Sequence, residues 1–152
     1  MKLAEALQER ADLNKKIQDL SDRLNQNCMV QEGEIPNEKP EKLLTELNAS
    51  IKQLQKLITD INLTNCKTIV DGKSLTEIIA EKDCEAIRLA AYRKVADRAS
   101  TTTYRARGTE IKIVTTISVA QLQKTADSIA KRIRLLDNTL QATNWSVELI
   151  DS

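Results

Sequence analysis

The chain has 152 residues, a net charge of +1, three glycines, no histidine and no phenylalanine. Near-neutrality excludes a global field that would steer it to nucleic acid or an anionic membrane, and the missing histidine removes the commonest general acid/base together with the commonest transition-metal ligand. Leu, Ile, Val and Ala recur beside 30% charged residues, a balance typical of long amphipathic helices.

The N-terminal MKLAEALQER carries Glu5 and no continuous apolar stretch, so no secretory signal is expected there. From that point Leu3, Ala6, Arg10, Leu13, Ile17, Leu20 and Leu24 alternate three and four apart. This spacing predicts a helix over about 2–27 with a coiled-coil-like seam, in which the Arg10 stem covers apolar surface. CMVQEGEIPNEKP breaks the pattern with Gly33, Pro36 and Pro40 and forms a loop. Its Glu32, Glu34 and Glu38 lack the spacing of a calcium loop and are expected to be solvated.

Pro40 suits the first turn of a second helix. Leu44, Leu47, Ile51, Leu54, Ile58, Ile61 and Asn65 then continue at the same spacing, widened by Leu43 and Leu57. They predict a helix over about 41–64, matched in length to the first and able to lie antiparallel to it. Thr68-Ile69-Val70 is β-prone and precedes an Asp71-Gly72 turn signal, so a small irregular element belongs there. Ser74 and Glu77 have capping-box spacing and start a third helix at Leu75, running to about residue 99. Its apolar positions are spread more widely and suit packing on two neighbours.

Ile111, Ile113, Thr115 and Ile117 alternate, predicting a strand over about 110–117. Ser118 and Gln121 form another capping box, and Val119, Leu122, Ala126, Ile129, Ile133, Leu136 and Leu140 predict a fourth helix over about 119–142. Trp145, Val147 and Leu149 alternate again, predicting a closing strand over about 145–150. The fold class expected is mainly α (α+β). A single domain over 1–152 would hold four long amphipathic helices in a coiled-coil-like bundle, with a small two- or three-stranded β element near the C-terminus. Two strands alone are marginal in water, so these should pack on helices or pair with a second chain.

No phosphate-binding glycine loop is present, since Gly33, Gly72 and Gly108 are isolated from one another. Cys28, Cys66 and Cys84 lack CxxC spacing and suit free thiols in a reducing cytoplasm. Cys66 and Cys84 are expected to be small packing residues. No spacing marks out a carboxylate pair among the 22 acids. The expectation is a protein that is not an enzyme and has no catalytic, cofactor-binding or metal residues and no cofactor.

One local charge bias stands out within 88–112. Arg93, Lys94, Arg98, Arg105, Arg107 and Lys112 form a possible phosphate or partner patch, with Tyr104 available to stack. The competing interpretation is a solvated helix end that pairs with acidic residues of other helices.

MKLAEALQERADL, VQEGEIP, INLTN, DGKSLTE, EIKIVTTISVAQLQK and NWSVELI, in this order across nearly the whole chain, resemble the septicolysin-like family of small bacterial helical proteins. The resemblance implies an oligomeric bacterial protein and no established catalytic residue, and its lysin label implies a membrane-active toxin. The leading expectation is nevertheless a non-enzymatic, self-assembling scaffold or interaction protein of the cytoplasm, forming a homo-oligomer. A septicolysin-type lysin is the alternative, and a nucleic-acid binder using the basic patch is the third reading. Neither nucleic acid nor membrane is the expected partner.

Overall fold

The computed structural model describes residues 1–101, 108 and 110–152. Its elements are helix α1 (Leu3–Asn27), helix α2 (Pro40–Lys67), strands β1 (Ile69–Val70) and β2 (Lys73–Ser74), helix α3 (Leu75–Ala99) and helix α4 (Val119–Ser146). They fall into two compact units, one formed by Met1–Leu75 with Gln141–Ser152 and the other by Thr76–Leu140.

In the first unit α1 and α2 are antiparallel. Glu9 accepts from Gln53 at 2.8 Å, Lys16 pairs with Glu46 at 3.0 Å, and Arg23 pairs with Glu38, so one index falls as the other rises. Between them lie Leu3, Ala6, Leu13 and Leu20 of α1 and Leu43, Ser50, Leu57, Ile61 and Thr64 of α2, all buried. Leu43, Ser50, Leu57 and Thr64 are seven apart, the interval that keeps one face of a helix toward a neighbour. At the start of α1 the Lys2 amide donates to the Glu5 carboxylate at 2.7 Å, which satisfies a donor that no helix carbonyl reaches.

α2 ends where β1 begins. β1 pairs antiparallel with β2, Ile69 opposite Ser74 and Val70 opposite Lys73. The two residues between them, Asp71 (φ 50°) and Gly72 (φ 81°), both adopt positive φ, as a two-residue hairpin turn that matches strand twist requires. The expected small β element is therefore present, but it sits mid-chain.

The two strands expected near the C-terminus do not form among the described residues. Within 110–117 only Lys112 has bridge geometry. The segment turns locally instead, with the Thr115 hydroxyl donating to the Ile117 carbonyl at 3.1 Å. An alternating sequence needs a neighbouring strand to satisfy its backbone, and the described part of this unit offers none. The stretch 145–150 fails as a strand for another reason. α4 continues through Trp145 to Ser146 and so takes the first two residues of the stretch into the helix. A single antiparallel bridge results, Lys2 with Glu148, flanked by Leu3 N donating to Val147 O at 2.9 Å and Leu149 N to Met1 O at 2.8 Å.

In the second unit α3 and α4 are also antiparallel: Tyr92, late in α3, lies by Gln121, Leu122 and Thr125 at the start of α4, while Lys82–Asp137 at 2.9 Å and Arg132–Glu81 join the start of α3 to the later turns of α4. The Gln121 amide donates to the Ser118 hydroxyl at 3.3 Å, so Ser118 caps α4. Ala126, Ile129, Leu136 and Leu140 of α4 are buried, four positions of the predicted stripe. In α3 only Leu75, Ile78 and Ala96 are buried among the described residues, and nothing between 79 and 95 is.

Candidate functional site

The last turns of α3 bring two of the predicted basic residues to one face. Lys94 and Arg98 are one turn apart and line a cleft of about 400 Å³ with Val95, Ala99, Thr101 and residues 113–117. The facing segment contributes the exposed aliphatic side chains of Ile113, Val114 and Ile117. No acidic residue lines the cleft among the described residues. Arg93 and Lys112 are exposed and lie outside its lining. Arg105 and Arg107, like Tyr104, lie outside the described residues.

The apolar wall was missed in the sequence, although a signal was there. The alternation of Ile111, Ile113 and Ile117 predicts a face to be buried, and with no second strand among the described residues those side chains are exposed.

A second cleft, of about 330 Å³, lies in the first unit and is lined by Lys56, Asp60, Leu149 and Asp151, among others. Its charges are already paired. Asp60 is buried, accepts from the Ser152 amide at 3.0 Å and pairs with Lys56 at 2.9 Å, while Lys56 also reaches Asp151. Hydrogen bonds from Ser152 and then from Lys56 hold the Asp60 carboxyl below the ordinary carboxylate range, against the effect of its burial. Asp151 and Asp60 in turn raise the Lys56 ammonium. One turn along α2, the buried Thr64 hydroxyl donates to Asp60 O at 2.7 Å and accepts from the Ile150 amide at 2.9 Å. This cluster straps the C-terminal segment to α2. Sequence reading missed it because a buried Asp and Thr interrupt an apolar stripe.

Glu38 is no free loop acid either, since the Arg23 guanidinium lowers its carboxyl. Glu32, Glu34 and Glu38 do not form a metal-binding group, and no cluster of three such residues occurs among the described residues. All three cysteines are exposed, so Cys66 and Cys84 are not the packing residues expected.

Residues 10–149 match a family of unknown function, DUF6847. The chain belongs to this family. A crystal structure described as a functionally unknown conserved protein from Corynebacterium diphtheriae is similar over 99% of both chains, at 34% identity and a TM-score of 0.90. No curated protein matches the chain. Membership of DUF6847 overturns the septicolysin-like resemblance, because neither the family nor the Corynebacterium structure is described as a septicolysin. The motifs that carried it do architectural work: VQEGEIP joins α1 to α2, DGKSLTE holds the hairpin turn and the start of α3, and NWSVELI ends α4 and pairs with Lys2. No helix among the described residues is long and apolar enough to cross a membrane.

Proposed function

We propose that this DUF6847 protein is a non-enzymatic, self-assembling helical scaffold of the bacterial cytoplasm, in which α2 pairs with α2 of a second copy. The observation that carries this reading is that α2 has two apolar stripes and α1 occupies one. Leu43, Leu57 and Ile61 are buried, while Leu44, Ile51 and Ile58 stay exposed on a parallel ridge with the same seven-residue interval. The ridge is symmetric about Ile51. A second copy approaching antiparallel about a two-fold axis there sets Leu44 of each against Ile58 of the other, the self-complementary pattern of a two-fold interface. Beside Ile51 the outer flank of the ridge is Asn48 and Gln55, both uncharged.

The sparse burial of α3 favours the same reading, because helices draw most of their stability from a packed apolar face. The non-enzymatic part is supported by the groups with displaced pKa values. Arg23, Glu38, Lys56, Asp60, Arg132 and Glu148 are each held by a partner in an ion pair, and displaced values at such pairs need no catalytic explanation.

Light scattering over a dilution series tests the proposal. The expected mass is a constant multiple of the 17.1 kDa chain, falling to one chain in Ile51→Lys. A wild-type monomer at every micromolar concentration overturns self-assembly, and an Ile51→Lys oligomer of unchanged mass overturns the α2 surface.

A further inference from the structure

We propose that the outer face of α3 pairs antiparallel with the same face of a second copy, about a two-fold axis at Ile87. Helical spacing places this face. The buried Ile78 and Ala96 each lie nine residues from Ile87, two and a half turns, so Ile87 stands diametrically opposite the covered side of α3. It is 71% exposed. Ala80, Asp83, Cys84, Ala91 and Lys94 lie three, four or seven residues from Ile87 and share its face. All five are exposed.

Charge selects the occupant. Asp83 and Lys94 have no ion pair or hydrogen bond among the described residues, and eleven residues, about 16 Å along a helix, keep them from pairing within one chain. Both fall on the same flank of Ile87, by the 3.6-residue turn. A two-fold axis through Ile87 reverses chain direction and preserves the flank. It sets Lys94 of one copy opposite Ala80 of the other, about 4.5 Å along the helix from that copy's Asp83, and the pair forms twice. A parallel approach would set Asp83 on Asp83 and Lys94 on Lys94, which like charges oppose.

Small side chains make the contact close. With Ala80, Cys84 and Ala91 beside Ile87, two such helices can approach toward the short end of the 8–10 Å range of helix packing. One helix face buries less than a standard interface of about 1,600 Å², so the contact is weak, with a dissociation constant on the order of 10⁻⁴ M. It is therefore empty in the micromolar range, where Ile51→Lys is one chain, and fills as concentration rises. The contact lies on α3 alone and uses no residue of the α2 ridge. Where both surfaces are in use, each chain holds two neighbours and the assembly extends beyond a pair.

Sedimentation equilibrium of the full-length Ile51→Lys variant, from about ten micromolar to about one millimolar, reads α3 pairing without the α2 contact. The expected mass climbs from one chain towards two. In that background Asp83→Lys and Lys94→Asp should each weaken pairing about tenfold, because like charges then face each other, and the two together should restore it to within about twofold. Oxidation by copper-phenanthroline reads the register, two thiols giving one disulfide. With Cys28, Cys66 and Cys84 changed to Ser, Ile87→Cys should link two chains, since the two positions face each other across the axis, and Arg88→Cys, turned away from the axis, should not. Circular dichroism should be unaltered in these variants, whose side chains on α3 are exposed. The proposal is overturned if Ile51→Lys stays one chain at every concentration, if the combined charge reversal does not restore pairing, or if Arg88→Cys links as readily as Ile87→Cys. Any of these beside a wild-type oligomer at micromolar concentration leaves the α2 reading standing. Linkage at Ile87→Cys in a chain that is otherwise monomeric there removes the α2 reading and keeps this one.

Discussion

Arg23 and Glu38 close the turn between α1 and α2 by a two-pronged contact across fifteen residues, Arg23 Nε donating to Glu38 Oε2 at 3.0 Å and a second guanidinium nitrogen reaching Oε1. Asp19 takes the remaining edge of the guanidinium at 3.1 Å. The buried Asn27 locks the same corner, donating to Arg23 O at 2.8 Å and accepting from Glu38 N at 3.0 Å. Arg23→Lys cannot reproduce the planar fork, so it should lower the thermal midpoint more than Arg10→Lys, whose side chain has no such partner among the described residues. Thermal melts at low and high salt check this, and a partly exposed pair predicts that added salt narrows the difference.

The acid limb of stability has an identifiable origin. Glu38, Asp60 and Glu148 are each lowered, by Arg23, by Ser152 and Lys56, and by Lys2 and the N-terminal ammonium respectively. A carboxyl lowered in the folded state contributes stability that is present above its unfolded value, near pH 4, and is lost as pH falls through the folded value. Urea midpoints should hold steady from neutral pH to about 5 and then fall below about 4. Asp60→Asn should flatten that decline, and an unchanged acid slope in this variant would remove Asp60 from the explanation.

Thr64 joins α2 to the C-terminal segment through one oxygen. Thr64→Val keeps the shape and removes both hydrogen bonds, so it should cost about 1–3 kcal/mol and accelerate hydrogen exchange at the Ile150 amide specifically. Exchange that is uniform along the chain would mean the strap does not open by itself.

Adjacent positions on α2 should behave oppositely. Leu57 is 7% exposed and Ile58 is 38% exposed. In the Ile51→Lys background, where the ridge is free, Leu57→Ala should cost about 2–5 kcal/mol and Ile58→Ala no more than about 1 kcal/mol. Equal losses in chemical denaturation would show that the helix is rotated from the observed register.

Gly72 has φ +81° with open space where a Cβ would stand, so the penalty for Gly72→Ala is one of backbone conformation alone. It should be about 1–2 kcal/mol, and a denaturation midpoint unaltered from wild type would argue against the hairpin turn.

Much of the architecture could be read from the sequence where local signals agreed. Leu75 begins α3 directly after the hairpin signalled by Asp71-Gly72, and Ser118 caps α4 as its spacing to Gln121 suggests. The rotation of α2 was not legible. Leucine and isoleucine occupy both 43–44 and 57–58, so the apolar arc is wider than one neighbour needs, and the even 3-4 spacing favours Leu44, Ile51 and Ile58. Ser50, Asp60 and Thr64 select the other half, because α1 comes close at a small residue and the C-terminal segment needs polar anchors. Polar side chains carry that decision, and hydrophobic periodicity is blind to them. At the candidate cleft the cations of α3 were legible as a charge bias. Their apolar counterpart was read as a strand, since alternation states that a face should be covered without stating by what.

The bridge between Lys2 and Glu148 also sets an order of events during synthesis. α1, α2 and the Arg23–Glu38 closure are all made within the first 67 residues, and local antiparallel helices pair quickly. The Leu3 amide, by contrast, bonds to the carbonyl of Val147, which is made only after the whole of the second unit, Thr76–Leu140. A nascent chain therefore carries a closed helical hairpin whose first turn stays open to water until the end of α4 has been made, and protection of that one amide marks the event.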